Sequence, residues 1–205
     1  MNCAKRLRTW SYSLYHYHRV MEILQYLKEN VFRVLEDQLP LEDFERWIYD
    51  SDELQNQMTE DVVLEAYTFN YKQRDAKYQF KKAIFKYFDE DEFLLWKVKS
   101  NLRDLIANRN DRDRILYDFY YLGYDGYTFL QPIGYYMYQI EDIEYYGNNL
   151  EAVLIELRRD SEHLLRELEK QELENPGFRL RDYRECDKLE YQPLVITKKW
   201  WKFSR

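Results

Sequence analysis

The residue types that most often hold metals or act as nucleophiles are few and scattered in this sequence. The two cysteines, Cys3 and Cys186, lie far apart and lack the spacing of a zinc or redox motif. Two of the three histidines, His16 and His18, are two residues apart, which would place them on different faces of a helix. The sequence therefore predicts no metal site, no cofactor and two reduced thiols.

Carboxylates are the abundant candidates for chemistry, with 38 Asp and Glu residues among 205. General acid–base catalysis needs a carboxylate whose pKa is shifted by burial or by a neighbouring charge, and no motif here places such a pair. A phosphate-binding loop, a glycine-rich nucleotide fingerprint and a nucleophile elbow are also missing from the sequence. We therefore predict no catalytic residues and a protein that is not an enzyme. An enzyme with carboxylates on facing helices is the catalytic alternative.

Negative charge is concentrated between residues 36 and 65, where eleven side chains are acidic and one is basic. Such a concentration bears on partners and on association rates rather than on the fold. It favours a surface that binds a basic protein, and the alternative is a solvated face that only keeps the protein soluble. The candidate partner-binding residues are Glu42, Asp43, Asp50, Asp52, Glu53, Glu60 and Asp61.

Short helices must position these carboxylates. Phe44, Trp47 and Ile48 are spaced i, i+3, i+4, so they share one face of a helix and leave its acidic residues outside. Residues 50–53 predict a capping box that ends this helix and begins a second one. Residues 59–61 predict the start of a third helix. We therefore expect two or three short helices with a buried aromatic face, which includes Trp47, and an acidic outer face.

The other helices are predicted from apolar residues that recur at steps of three and four. Residues 1–11 are expected to be loosely ordered, Gly123 to end one helix, and Asn148 or Asn149 to cap the last and longest one. Residues 175–177 should end that long helix. A strand is an alternative for part of residues 124–147, since tyrosine and isoleucine favour strands. The predicted helices cover residues 13–35, 75–88, 89–106, 115–122, 132–144 and 150–173.

These elements predict an all-α fold, an irregular multi-helix bundle with a long C-terminal helix, over residues 1–175. Only five glycines and four prolines argue against a turn-rich all-β fold. Residues 176–205 are predicted to form a short basic, aromatic tail, either irregular or a small β-hairpin, packed on the helices. We expect the KKWWKFSR end of this tail to dock on an acidic helix face of the same protein.

The sequence contains 21 tyrosines, several of them between residues 124 and 146. A tyrosine ring gives a large contact area with few torsions and a polar tip, which explains its enrichment at interfaces. The tyrosines of this segment are therefore either half-buried at the boundary of a helix or part of an interaction surface.

Residues 41–82 contain LEDFERWIY, then ELQ, then EAYTFNYK followed by a short helix. This pattern resembles small bacterial proteins of the class proposed as immunity proteins in polymorphic and contact-dependent toxin systems. The resemblance implies a protein that binds and neutralises a cognate toxin, with no catalytic residues of its own. The matching residues are Phe44, Trp47, Tyr49, Leu54, Asn70 and Tyr71.

The leading hypothesis is therefore an immunity protein that neutralises a cognate basic toxin domain by stoichiometric binding. A toxin that acts on nucleic acid usually presents a basic cleft, which an acidic protein can block. The alternative is a helical scaffold or regulator that homodimerises through residues 150–173.

Two further classes of partner are not expected. The lysine-bearing helix over residues 75–88 is more typical of a solvated face than of a nucleic-acid site, since acidic blocks lie on either side of it. No apolar run approaches the about 18 residues of a membrane helix, and the N-terminus lacks the apolar core of a signal peptide. We therefore predict a soluble, cytoplasmic protein.

Overall fold

A computed structural model of the chain describes residues 3–109, 111–146 and 149–183, with side chains from His18 onward except those of residues 144 and 146. Throughout these ranges the regular secondary structure is helical, which confirms the predicted all-α class. Three 3-10 turns, Phe85–Tyr87, Thr128–Leu130 and Leu180–Tyr183, join or follow the α-helices. The α-helices are α1 (Cys3–Leu35), α2 (Leu41–Asp50), α3 (Asp52–Gln55), α4 (Asp61–Thr68), α5 (Ala76–Ile84), α6 (Glu90–Ile106), α7 (Arg112–Tyr124), α8 (Gln131–Gly134), α9 (Tyr136–Tyr146) and α10 (Leu150–Glu174).

The chain forms two compact units, Met1–Lys97 and Val98–Arg205. The first unit contains α1 to α5, and the second contains α7 to α10. The predicted division into a helical domain over residues 1–175 and a tail over 176–205 stays a prediction, because most of the tail lies outside the described residues.

Helix α1 begins at Cys3, ten residues before the start that the sequence pattern predicts. Leu27, Val31 and Val34 are buried on one of its faces, in agreement with their spacing of three and four. The helix ends where Asp37 adopts a left-handed backbone conformation with φ of 60°. Asp tolerates this conformation, which allows the next N–H groups to bond the last carbonyls of the helix.

The core of the first unit combines apolar residues of α1 and α4 with aromatic rings on α2, α5 and the connection before α5. The ring of Phe44 lies 5.2 Å from that of Phe80 and 6.4 Å from that of Tyr71. Phe44 and Ile48 are fully buried, whereas Trp47 packs against the core and stays partly exposed. The expectation of a buried Trp47 is therefore corrected, and Phe44 and Ile48 are the residues that anchor α2.

In the second unit, α8 packs closely on α7 because of a glycine. A Cβ atom added at Gly134 would lie 2.5 Å from the backbone nitrogen of Tyr120. Only a residue without a side chain allows this approach of the two backbones. Gly123, which the sequence predicts as the end of α7, lies inside that helix and faces the side chain of Gln131. The chain turns instead at Gly126, whose φ is 100°.

Helix α10 agrees closely with its sequence pattern. The side chain of Asn149 accepts a hydrogen bond of 3.3 Å from the backbone N–H of Ala152, as expected of a helix N-cap. Leu157, Ser161 and Leu168 are buried on one face of α10. Ser161 interrupts the apolar pattern in the sequence but is fully buried. An ion pair between Arg103 of α6 and Glu169 joins the two helices at 2.8 Å.

The start of the predicted tail packs on the second unit. Phe178 and Leu180 are buried, and the hydroxyl of Tyr183 donates a hydrogen bond of 3.0 Å to the Gln171 side chain. The alternative of a hairpin and the docking of the KKWWKFSR segment concern residues 184–205, which lie outside the described residues.

Candidate protein-binding surface

The seven carboxylates that the sequence predicts as a binding site are all exposed in the structure. We call them the acidic surface: Glu42, Asp43, Asp50, Asp52, Glu53, Glu60 and Asp61. Helix α2 has ten residues and is about 15 Å long, so Glu42 and Asp43 lie at the opposite end of it from Asp50. Asp50 leads directly into α3, whose first turn holds Asp52 and Glu53. The acidic surface therefore divides into two groups along α2 and a third at the start of α4.

Several of these carboxylates have a local structural role. Glu42 and Asp43 lie in the first turn of α2, and Asp61 lies in the first turn of α4. Negative charge at that end of a helix is favourable because it opposes the helix dipole. Asp50 is different, since it is the last residue of α2, where the dipole disfavours a negative charge. The stability of α2 therefore does not explain why a carboxylate occupies position 50.

The four remaining acidic residues of the block over residues 36–65 each pair with a lysine. Glu45 pairs with Lys72 at 3.1 Å, and Glu65 pairs with Lys86 at 2.9 Å. The hydrogen bond from Lys86 lowers the pKa of the Glu65 carboxyl, so this pair is charged at neutral pH. The other two pairs are Glu36 with Lys97 and Asp37 with Lys77.

The acidic surface itself is mostly without such partners. Glu53 pairs with Arg19 at 2.5 Å, and Asp43 pairs with Arg46 at 3.4 Å. Within the described part of the chain, the other five carboxylates make no ion pair: Glu42, Asp50, Asp52, Glu60 and Asp61. The structure therefore neutralises the acidic residues outside the predicted site and leaves most of the predicted site uncompensated.

Hydrogen bonds fix the backbone that carries Asp50 and Asp52. The Ser51 hydroxyl accepts a bond of 3.4 Å from the backbone N–H of Leu54 and so caps α3. The capping box predicted over residues 50–53 is therefore replaced by a cap at Ser51, and Asp50 is free of that role. The hydroxyl of Tyr67 on α4 donates a bond of 2.7 Å to the carbonyl oxygen of Ile48. Burial raises the pKa of this hydroxyl, which keeps it a donor.

Exposed apolar side chains accompany the acidic surface in the sequence of α2 to α4. Tyr49, Met58 and Leu64 all have exposed side chains. Tyr49 is among the residues that carry the family resemblance, but Met58 and Leu64 were not predicted from the sequence as exposed contact residues. The exposure of Leu64 is predictable, because Val63 and Ala66 define the buried face of α4 and Leu64 falls outside it. These side chains can supply apolar contact area beside the charges.

The described residues contain no group of three or more His, Cys, Asp or Glu side chains arranged to hold a metal ion. The side chain of His18 lies 3.9 Å from Glu22, one turn along α1, and that of His16 lies outside the described side chains. Among the helices for which side chains are described, none combines the length and the apolar character that crossing a membrane requires.

Comparison with protein-family models, with curated proteins and with solved structures finds no match to this chain.

Proposed function

We propose that this chain is an immunity protein that binds a cognate toxin domain with a basic surface and neutralises it stoichiometrically. The interaction uses the acidic surface on α2 to α4, with the exposed side chains of Tyr49, Met58 and Leu64 as apolar contacts. The chain acts by occupying the toxin and performs no chemistry of its own. The sequence pattern over residues 41–82, which resembles immunity proteins, supports the same proposal.

One observation carries the proposal: five exposed carboxylates of the acidic surface make no ion pair within the described residues, whereas the acidic residues around them pair with lysines. Like charges held on one short stretch repel each other and lower the stability of the free protein. A basic partner removes that repulsion when it binds, so the charge arrangement favours the complex.

Electrostatic attraction of this kind acts mainly on the rate of association. Complementary fields raise association rate constants from about 10⁵–10⁶ to as much as about 10⁸–10⁹ M⁻¹s⁻¹ at low salt. An inhibitor that must meet its toxin before the toxin meets its substrate gains from this acceleration. The apolar side chains then slow dissociation, because burial of apolar area stabilises the complex once it has formed.

Homodimerisation through α10 is the alternative and has less support. The apolar face of α10 is used inside its own unit, where Leu157 and Leu168 are buried. Its exposed face is charged, with Ile155 and Leu173 as isolated apolar residues. Scattered apolar residues on a charged face are common on monomeric proteins and do not indicate an interface.

The proposal is tested with the C-terminal domain of the protein encoded directly upstream of this gene. Producing that domain in cells should stop growth, and producing this chain with it should restore growth. Purified together, the two proteins should form a complex with one copy of each, measured by light scattering. Restored growth without a complex, or a complex that leaves the domain toxic, would contradict the proposal.

A charge-matched pair of variants locates the binding surface. The first replaces three unpaired carboxylates of the acidic surface, Asp50→Asn, Asp52→Asn and Glu60→Gln. The second replaces three exposed carboxylates of α10, Glu156→Gln, Glu162→Gln and Glu174→Gln. Both change the net charge equally, so only the first should weaken protection if the acidic surface binds the toxin.

A further inference from the structure

The second unit contains a pocket between α7 and α9, away from the acidic surface in the sequence. Its volume is about 240 Å³, and it is lined by Asp113, Tyr117, Met137, Ile140 and Glu141. Met137 and Ile140 are buried and form an apolar base. Asp113 and Glu141 are exposed and contribute a carboxylate from each of the two helices. The pocket thus combines an apolar base, an aromatic side chain and two carboxylates, of which Asp113 also pairs through its Oδ1 with Arg112 at 3.2 Å.

A cluster of tyrosines continues from this pocket along the surface. The ring of Tyr117 stacks on that of Tyr121 at 6.0 Å with an angle of 28° between the planes. Tyr120 is central, with ring centres of four other tyrosines between 4.9 and 5.8 Å away. We call the six residues the tyrosine surface: Tyr117, Tyr120, Tyr121, Tyr124, Tyr135 and Tyr138.

Hydrogen bonds between hydroxyls hold these rings in place. The hydroxyl of Tyr138 donates to that of Tyr120 at 2.9 Å, and the hydroxyls of Tyr120 and Tyr124 are 3.0 Å apart. The rings are nevertheless exposed, except that of Tyr120, which is half-buried. Aromatic rings that are both ordered and exposed lose little conformational entropy when a partner covers them. A cluster of this kind is typical of an interaction surface.

The charged residues around the tyrosine surface indicate the charge of the partner that it can bind. Residues 111–146 contain seven acidic and two basic side chains. Both arginines already pair with aspartates: Arg112 with Asp113 at 3.2 Å, and Arg114 with Asp118 at 3.3 Å. Stacked aromatic rings can also bind single-stranded nucleic acid, but such sites carry positive charge along the backbone path. The negative charge here favours a cationic partner.

The volume of the pocket limits the size of the chemical group that can enter it. Pockets for drug-sized ligands and cofactors have volumes of about 300–1,000 Å³, so this pocket suits a single side chain better. A guanidinium group stacks on aromatic rings and bonds carboxylates through a planar fork, whereas an ammonium group is a compact, strongly hydrated charge. Tyr117 beside Asp113 and Glu141 matches the guanidinium group.

We propose that the tyrosine surface binds a basic polypeptide segment and that the adjoining pocket receives one arginine side chain of that segment. The carboxylate of Glu141 and the Oδ2 atom of Asp113, whose Oδ1 pairs with Arg112, bind the guanidinium group. The ring of Tyr117 stacks on it, and Met137 and Ile140 contact its methylene groups. This site goes beyond the acidic surface on α2 to α4 and does not depend on the partner being a toxin.

The four methionines of the chain offer a direct test by NMR of the full protein labelled with ¹³C at the methionine methyl groups. Met137 lies at the base of the pocket, and Met58 lies within the sequence of the acidic surface. The probe is a short synthetic peptide of alternating glycine and arginine. Matched peptides carry lysine or the uncharged arginine analogue citrulline in place of arginine.

We expect the arginine peptide to shift the Met137 signal in a saturable manner, the lysine peptide to bind several-fold more weakly, and the citrulline peptide to leave Met137 unchanged. The double variant Asp113→Asn, Glu141→Gln should raise the dissociation constant measured at Met137 by about tenfold or more. Tyr117→Leu should remove the preference for arginine over lysine. The control double variant Asp50→Asn, Glu60→Gln changes the charge equally and should leave the Met137 response intact.

An unchanged Met137 signal with the arginine peptide would overturn the inference. So would an equal Met137 response in the Asp113→Asn, Glu141→Gln variant, or a Met137 shift caused by a thymidine oligonucleotide in place of the peptide. The Met58 signal reports separately on the acidic surface. Failure at Met137 with a preserved response at Met58 would therefore count against the pocket and not against the proposed function.

Discussion

The hydroxyl of Tyr67 donates a hydrogen bond to the carbonyl oxygen of Ile48, 2.7 Å away, and so joins α4 to the last turn of α2. That carbonyl belongs to the end of a helix, where backbone acceptors lack partners within the helix. The bond also fixes the position of Asp50 and Asp52, which follow directly in the chain. One partly buried tyrosine therefore supports both the fold and the acidic surface.

Removing this bond should lower stability by a modest amount. We expect Tyr67→Phe to reduce the free energy of unfolding by about 0.5–1.5 kcal/mol, since it leaves the Ile48 carbonyl with fewer donors. Tyr49→Phe is the control, because the exposed Tyr49 hydroxyl makes a longer bond of 3.2 Å that water can replace. Urea titration followed by circular dichroism measures both variants. Equal losses in the two variants would show that the Tyr67 bond has no special role.

Of two aromatic substitutions in α2, the one at the more deeply buried position should lower the free energy of unfolding more. Phe44→Ala removes a fully buried ring from the core and should cost about 3–5 kcal/mol. Trp47→Ala removes a ring that is partly exposed, so it should cost less although tryptophan is larger. Guanidinium titrations of both variants provide the comparison. The opposite order would mean that Trp47 anchors α2 after all.

The close approach of α8 to α7 should make Gly134 intolerant of the smallest side chain. A Cβ at this position would lie 2.5 Å from the Tyr120 nitrogen, so Gly134→Ala must push two backbones apart. We expect a loss of about 1–3 kcal/mol in the free energy of unfolding. At Gly177 the nearest atom to an added Cβ is 3.7 Å away, and Gly177→Ala should change stability by less than about 0.5 kcal/mol. Thermal melts that show no difference between these variants would contradict the packing of α7 and α8.

Tyr71 should make the protein less stable at alkaline pH. Its buried hydroxyl donates a bond of 2.7 Å to the Ala66 carbonyl, and burial raises its pKa far above the ordinary value of 10.0. The unfolded chain loses this proton near the ordinary value, whereas the folded chain keeps it. The stabilising contribution is therefore complete below pH 10.0 and decreases as the pH rises further.

Above pH 10.0 the folded chain keeps one proton that the unfolded chain has lost, so the free energy of unfolding falls by about 1.4 kcal/mol for each pH unit. Denaturant titrations between neutral pH and strongly alkaline pH should show a shallower decline for Tyr71→Phe than for the parent. Tyr145→Phe is the control, because the Tyr145 side chain is 82% exposed, and its curve should follow that of the parent. Parallel curves for all three proteins would refute the role of Tyr71.

The sequence predicts the helices of this protein well because their signals are local. Phe44 and Ile48 are buried as their spacing of four requires, and Asn149 caps α10 as its position before the apolar pattern indicates. The burial of Trp47 is not a local property, since it depends on residues far away in the sequence, such as Tyr26 of α1, whose ring lies 5.3 Å from that of Trp47. The role of Gly134 depends in the same way on the approach of a second helix.

The candidate site is predictable in part for a similar reason. The acidic composition of residues 36–65 is visible in the sequence, and all seven chosen carboxylates are exposed. Which acidic residues are neutralised depends on lysines far along the chain, such as Lys72, which is 27 residues from its partner Glu45. The pocket between α7 and α9 likewise joins Asp113 and Glu141, which lie on different helices.

The central claim is that the acidic surface on α2 to α4 attracts a basic partner. The association rate with the proposed partner, the C-terminal domain of the protein encoded directly upstream, tests this claim most directly. Stopped-flow measurements at several salt concentrations should compare the parent with the Asp50→Asn, Asp52→Asn, Glu60→Gln variant. The screening length falls from about 30 Å at 0.01 M ionic strength to about 10 Å at 0.1 M, so attraction by these exposed charges is strongest at low salt. We expect the variant to associate about tenfold more slowly at low salt and to lose most of its salt dependence.

The charge-matched α10 variant Glu156→Gln, Glu162→Gln, Glu174→Gln should keep the rate and the salt dependence of the parent. Association of the acidic-surface variant at the parent's rate at every salt concentration would contradict the claim and leave the carboxylates as a solvated face.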